Sequence, residues 1–507
     1  MPKIGADTLF ELIHSLDKAE KRHFKLYAGS RTEGEAIYLK LFDAIDAQKS
    51  HNEKEVIGIV KPPSFRQFSR TKKYLYELIL SSVQGLRSRH TVSMEIRSLL
   101  DWAEILFDKM LYRQCQKVLN KAKEIAKKYD LYNSILEILT LEYKIAFREY
   151  NNKQLLSLQK QEQQALQLLS NTNQYMNKAV SIWDKHLTLG AARKSSDLKE
   201  MNEIMNDPIL RNEDRALSFY AKRSLLNTHF IYHLTRGDQE ECYHLSKRSV
   251  QLYLQNPRHI RHSAEYFLGQ LNNLLISCAY LKKYAEMPKL MEKLKELSSQ
   301  LKGKANPVTA FFYRYHALNY YIYTGNFSEG VAEAAEIGES MKKYERFLTP
   351  LQKATLWLGI AQVFFGNGNY KQALAWLNNI RNMNELEVRK DVMALTKMFF
   401  LIINYEIGDR TIANYLQRQA KYYLSSRKRM YKLEEVLLHF FKTIIPKAAH
   451  TTERTKAFVN LRNELLKLSQ YPLEKNAFDD FDYISWAESK IEGKSYASLI
   501  KRKSALS

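Results

Sequence analysis

The sequence predicts an all-α protein built from repeated helical hairpins, and three observations carry that prediction. A turn signature returns along the chain as Gly237-Asp238, Lys282-Lys283-Tyr284, Gly325-Asn326-Phe327, Gly368-Asn369-Tyr370 and Gly408-Asp409, at spacings of 45, 43, 43 and 40 residues. Each signature closes one stretch of helical apolar periodicity and opens another. Glycine (17) and proline (10) are scarce in 507 residues, which favours helix nearly throughout. A fixed period of this length marks an α-solenoid, in which each repeat buries its apolar face against its neighbours. Such a chain escapes the usual size limit of a single core, so one elongated body is expected rather than three or four compact domains.

The elements follow in order. Residues 1–92 read as a small helical domain with three capped helix starts, at Asp17 with Glu20, Asn52 with Glu55, and Ser64 with Gln67. Residues 93–445 read as the array. Its early turns are placed near Met110–Tyr112, Glu149–Asn152 and Arg193–Ser196, and the first of them leads into a helix with Cys115, Leu119 and Ala122 as its stripe. Pro208, Pro257, Pro307 and Pro350 fall between hairpins, where a missing N–H costs nothing and stops a helix from running on. Residues 446–507 read as capping helices and a basic tail: an acidic, aromatic segment whose Phe481, Ile484, Trp486 and Ile491 cover the last apolar face, then Lys501-Arg502-Lys503.

The clearest unit is Thr355–Met383. Trp357, Ile360, Ala361 and Phe364 step along one helix, Gly368-Asn369 turns the chain, and Tyr370, Ala373, Leu377 and Ile380 form the facing stripe. The order Trp357, Ala361, Phe364, Gly368, Tyr370, Ala373, Leu377 resembles the tetratricopeptide repeat. The resemblance implies a right-handed superhelix of about eight such hairpins, with a concave face supplied by the first helix of each pair. The match weakens in the preceding units, where Leu318 and Leu275 stand at small-residue places. The period is also longer than the family's roughly 34 residues, so helices of about 18 residues are expected.

Composition bounds the function. The net charge is +23, from 78 Lys and Arg against 55 Asp and Glu, and it is dispersed along the chain. That excess attracts polyanions without specifying one. The N-terminus lacks the pattern of a secretory signal, and the apolar run around Met398–Ile403 is far too short to cross a bilayer, so a cytoplasmic protein with no membrane span is expected. Cys115, Cys242 and Cys278 form no Cys-x-x-Cys pair and read as small core residues. Phosphate-binding glycine loops, nucleophile elbows and HExxH are all missing from the sequence, so no catalytic residue, cofactor or small-molecule substrate is assigned. His229 and His233, one turn apart, with Cys242 and His244 following, could ligate zinc. The places of His233 and Cys242 match Phe364 and Ala373 of the clearest unit, and the core reading is preferred, with no metal.

Two candidate surfaces remain. In the register of the Trp357 unit the inward positions are Asn227, Asn272, Asn273, Tyr315, Asn319, Tyr323 and Gln362. Amides that offer donor and acceptor together can match the backbone of an extended peptide, so a non-catalytic scaffold that recognises a protein or peptide partner is expected. Within that stretch most of the aromatic run Phe311–Tyr323 is assigned to packing. The alternative is a nucleic-acid or other polyanion binder. Arg66, Gln67, Arg70 and Lys73 line one face of a helix preceded by a short helix and a Lys61-Pro62-Pro63 turn, an order resembling a helix-turn-helix.

Overall fold

The computed structural model describes residues 6–29, 35–87, 91–300, 305–384, 388–408, 410–447 and 451–505; among them every regular element is helical and no strand occurs. The chain divides into two compact units, Met1–Leu166 and Gln167–Ser507.

The first unit opens with α1 (Ala6–Ser15), α2 (Lys18–Gly29), α3 (Glu35–Asp46), α4 (Glu53–Val60) and α5 (Phe65–Arg87). The capping residues read from sequence act as such. Asp17 and Glu20 exchange side-chain bonds with each other's backbone N–H, Asn52 accepts from Glu55 N, and Ser64 accepts from Gln67 N. A separate core forms around Phe24 and Phe42, whose rings lie 4.6 Å apart. Then come α6 (Val92–Asp108), α7 (Tyr112–Lys128), α8 (Tyr132–Arg148) and the start of α9 (Asn152–Leu189); α6, α7 and α8 pack in succession, and Tyr143 of α8 bonds Glu162 of α9 at 3.1 Å. Cys115, Leu119 and Ala122 are fully buried, as their stripe requires.

α9 is longer than the repeat predicts. The chain leaves it at Gly190, with φ 70°, just before the turn placed near Arg193–Ser196, but the helix runs 38 residues where about 18 were expected. Residues 152–189 contain neither glycine nor proline, so nothing in them stops the helix. Short helices α10 (Lys199–Met205) and α11 (Pro208–Arg211) follow.

The second unit then proceeds in pairs: α12 (Phe219–Arg236) with α13 (Gln239–Gln255), then, after a short α14 (Pro257–His262), α15 (Ala264–Tyr280) with α16 (Met287–Gln300), α17 (Ala305–Thr324) with α18 (Phe327–Tyr344), α19 (Pro350–Gly366) with α20 (Tyr370–Arg381), α21 (Lys390–Ile407) with α22 (Arg410–Ser426), and α23 (Lys432–Lys447) with α24 (Thr451–Leu468). The first helices α15, α17, α19 and α21 also touch in succession. Every recurring turn signature passes through a left-handed residue: Gly237, Lys282, Gly325, Gly368 and Gly408 have φ of 83°, 58°, 74°, 78° and 89°. Lysine holds the position once, at some steric cost, and Met110, Asp130 and Tyr150 do the same at the turns of α6–α9. In the clearest unit Ile360, Ala361, Ala373, Leu377 and Ile380 are fully buried.

The chain ends with α25 (Pro472–Lys475), α26 (Tyr483–Glu492) and α27 (Tyr496–Ser504). The expected basic tail is therefore a helix, whose Arg502 pairs with Glu492 at 3.0 Å and whose Lys503 pairs with Glu488 at 2.9 Å. No helix of the described residues is long and apolar enough to cross a membrane.

Candidate partner-binding face

The positions expected to face inward do not present a ladder of free amides. Asn272 on α15 accepts a 2.9 Å bond from His316 Nε2 on α17 and lies 3.5 Å from Asn273 Oδ1. Asn319 bonds the hydroxyl of Tyr315, one turn earlier on α17. Half-buried amides find partners because leaving them unpaired costs about 1–3 kcal/mol each. Asn227, on α12, is half-buried and makes none of these contacts. Burial pushes the His316 imidazole down to about 3, so it stays neutral, donating to Asn272.

Tyr323 and Gln362 meet the chain's own C-terminal segment. Gln362 Nε2 donates to Asp480 O at 2.8 Å and Tyr323 Oη donates to Asp479 O at 3.4 Å. Both bonds go to main-chain carbonyls. Phe481 supplies the apolar anchor: its ring lies 5.5 Å from Phe365, 5.2 Å from Phe399 and stacks on Tyr496 at 5.6 Å. Gln239 reaches the Asp479 carboxylate at 3.4 Å, and burial holds that carboxyl up at about 6. Upstream, Asn476 Nδ2 donates to Ala192 O at 3.0 Å. Downstream, Ser504 Oγ donates to Thr324 O at 3.2 Å. A cavity of about 360 Å³, lined in part by Tyr280, Tyr284, Tyr323 and Lys503, remains beside the segment.

Two turn glycines leave room for this segment. A Cβ on Gly237 would stand 1.9 Å from Asn476 Oδ1, and one on Gly325 would stand 2.7 Å from Lys501 N, whereas Gly368 and Gly408 have nothing within 4 Å. The segment therefore does more than the end cap predicted for it. Trp486 does cover the last helices, fully buried against Phe441 and Phe458 with Nε1 donating to Glu406 at 2.7 Å. Phe481 and the residues before it run back to earlier pairs.

A buried ion cluster ties the start of the second unit to its end. Arg193 bonds Glu434 at 3.0 and 3.2 Å and Glu474 at 2.6 Å, while its guanidinium lies 4.7 Å over the Tyr431 ring. Nearby, His186 Nδ1 donates to Thr235 at 2.9 Å and Nε2 accepts from Arg389 at 3.3 Å; burial and Arg389 push its pKa down to about 4. Sequence reasoning missed Arg193, Glu434 and Glu474 because their partners lie more than 240 residues away. The only local signal was the acid-rich FDDFDY in a basic chain.

The other candidates separate clearly. Arg66, Gln67, Arg70 and Lys73 are all exposed on α5; Lys73 reaches Glu77 at 4.0 Å, and Arg66 and Arg70 have no carboxylate partner among the described residues. His229 bonds Leu210 O at 2.9 Å and His233 bonds Asp238 at 2.9 Å, while burial pushes the Cys242 thiol up, away from the thiolate a zinc site needs. No group of three or more His, Cys, Asp or Glu able to hold a metal occurs among the described residues.

Comparison with protein-family profiles, with curated proteins and with solved structures returns no match for this chain.

Proposed function

We propose that this protein is a non-catalytic scaffold whose helical pairs recognise an extended protein segment through their first helices. The observation that carries the reading is the Gln362 amide donating to the Asp480 main-chain carbonyl while Phe365 and Phe399 receive Phe481. An amide to the backbone and an aromatic pocket for one side chain are the parts from which peptide recognition is built. Here the chain's own C-terminal segment fills them, so a partner is held at repeats the segment leaves open. The finer architecture, a tetratricopeptide-like right-handed superhelix of about eight hairpins, belongs to the same proposal, as does a cytoplasmic location.

The test is capture of protein partners by the full chain at 50 and 500 mM salt after nuclease treatment. Binding built on amides and aromatics persists at the higher salt. Capture that disappears with nuclease or falls about a thousandfold with salt defeats the scaffold reading.

A second reading rests on the exposed, uncompensated Arg66 and Arg70 beside Gln67 and Lys73 on α5. In it this face contacts nucleic acid phosphates. Arg66→Ala with Arg70→Ala then reduces the slope of log affinity against log salt by about 2, measured on a DNA duplex. An unchanged slope removes this reading.

A further inference from the structure

The place on the array that takes Phe481 has a counterpart in the first unit, and that counterpart is open. Phe365 lies three residues before the left-handed Gly368, and it is 2% exposed beneath Phe481. Tyr405, three before Gly408, lies 6.3 Å from Trp486 of the same C-terminal segment. Among the left-handed residues of the first unit is Tyr150, at the turn after α8, and three before it stands Phe147, 63% exposed. Tyr150 itself is 90% exposed. An exposed Phe and Tyr at one helix end have no role in the core of the fold.

Charge complements the match. Phe481 is flanked by Asp479, Asp480 and Asp482. Phe147 is flanked by exposed Lys144 and Arg148, with Glu149 the single acid between residues 144 and 150. Opposite charges around an aromatic anchor set register and speed encounter, while the anchor supplies most of the affinity.

We propose that the Phe147–Tyr150 end of α8 is a docking site for an extended acidic segment with an aromatic anchor, carried by a partner protein and chemically like residues 478–483 of this chain. The proposal rests on the scaffold reading and assigns it a site and a class of partner. Phe147 takes the place of Phe365, receiving the partner's aromatic ring, while Lys144 and Arg148 face its acids.

The experiment uses the full chain and a fluorescent peptide of the sequence Asn-Ala-Phe-Asp-Asp-Phe-Asp-Tyr-Ile-Ser, read by anisotropy. The wild type binds it, and Phe147→Ser with Tyr150→Ser weakens binding at least about tenfold, because the anchor's contact is lost. A peptide with Ser in place of its second Phe binds no better than the double variant does. Both replaced side chains are exposed, so the variant's thermal melt stays that of the wild type. Equal binding by wild type and variant overturns the proposal, as does no binding up to about 1 mM peptide. Concentration-dependent self-association of the full chain that the double variant abolishes also overturns it, in favour of a second copy. If peptide binding fails while salt-resistant partner capture persists, the scaffold reading stands and only this site falls; if both fail, both fall.

Discussion

Phe147 and Phe365 occupy the same place in their repeats, three residues before a left-handed turn, yet one is open to solvent and the other is enclosed. Their helices do not differ in kind. What differs is that the second unit sends residues 476–483 across Phe365, and the first unit's α8 receives nothing comparable from the described residues. Burial in a repeat array is thus set by occupants as well as by the repeat. A periodic sequence shows which side chains point to a neighbouring helix, but it is silent on which inner positions a distant segment will cover.

That comparison can be broken most severely at the ion cluster. Arg193→Ala leaves Glu434 and Glu474 buried without a cation and is expected to cost about 3–5 kcal/mol, seen in urea melts as a lower midpoint or an early separate transition of the second unit. A loss below about 1 kcal/mol would show that the start and end of this unit are not held together as described.

A finer cut uses the turn glycines. Gly325→Ala and Gly368→Ala share the penalty of a left-handed residue, about 1–2 kcal/mol, but only the first drives a Cβ into the backbone of α27. Gly325→Ala should therefore cost about 1–3 kcal/mol more than Gly368→Ala in parallel melts. Equal losses mean that α27 does not rest on this turn.

Acid should remove the contribution that two buried histidines make to the second unit. His316 and His186 are held neutral, near 3 and 4, whereas the unfolded chain protonates them near 6.5. The unfolded state binds more protons between those values, so their contribution is complete above pH 6.5 and falls by up to about 1.4 kcal/mol per unit per histidine as pH drops. The difference between wild-type and His316→Gln melts at pH 7.5 and 5.5 measures it, because the Asp479 and Asp480 carboxyls, held up at about 6 and about 7, act in the opposite direction in both proteins. At the small end, Phe147→Ser should shift stability by no more than about 0.5 kcal/mol, since the ring is exposed. A larger loss would mean that the open face is packed in solution.

Local signals made much of the fold legible. The turns at Gly237, Gly325, Gly368 and Gly408, the caps at Asn52 and Ser64, and the stripe through Ala361, Ala373 and Leu377 are each decided by a few neighbouring residues. Lys282 could be placed only because the period demanded a turn there. The 38-residue length of α9 escaped because a helix that runs on past the expected length of about 18 residues leaves no mark in its sequence. At the candidate face, Tyr323 and Gln362 were expected to face inward, and the structure bonds them to Asp479 and Asp480, a contact no local signal gave. The register gives direction; it does not give the pairing of Gln362 with a carbonyl 118 residues away. For the same reason Asn272 and Asn319 looked free in sequence and are paired in space.

The central claim is that residues 476–483, which form no helix before Tyr483, are seated against the first helices of the second unit. Hydrogen exchange on the full chain, followed by mass spectrometry, tests this directly by comparing that segment in the wild type and in Phe481→Ser. A seated segment is shielded by its burial in the wild type and exchanges faster once the Phe481 anchor is lost. Equal exchange of the segment in the two proteins would contradict the account.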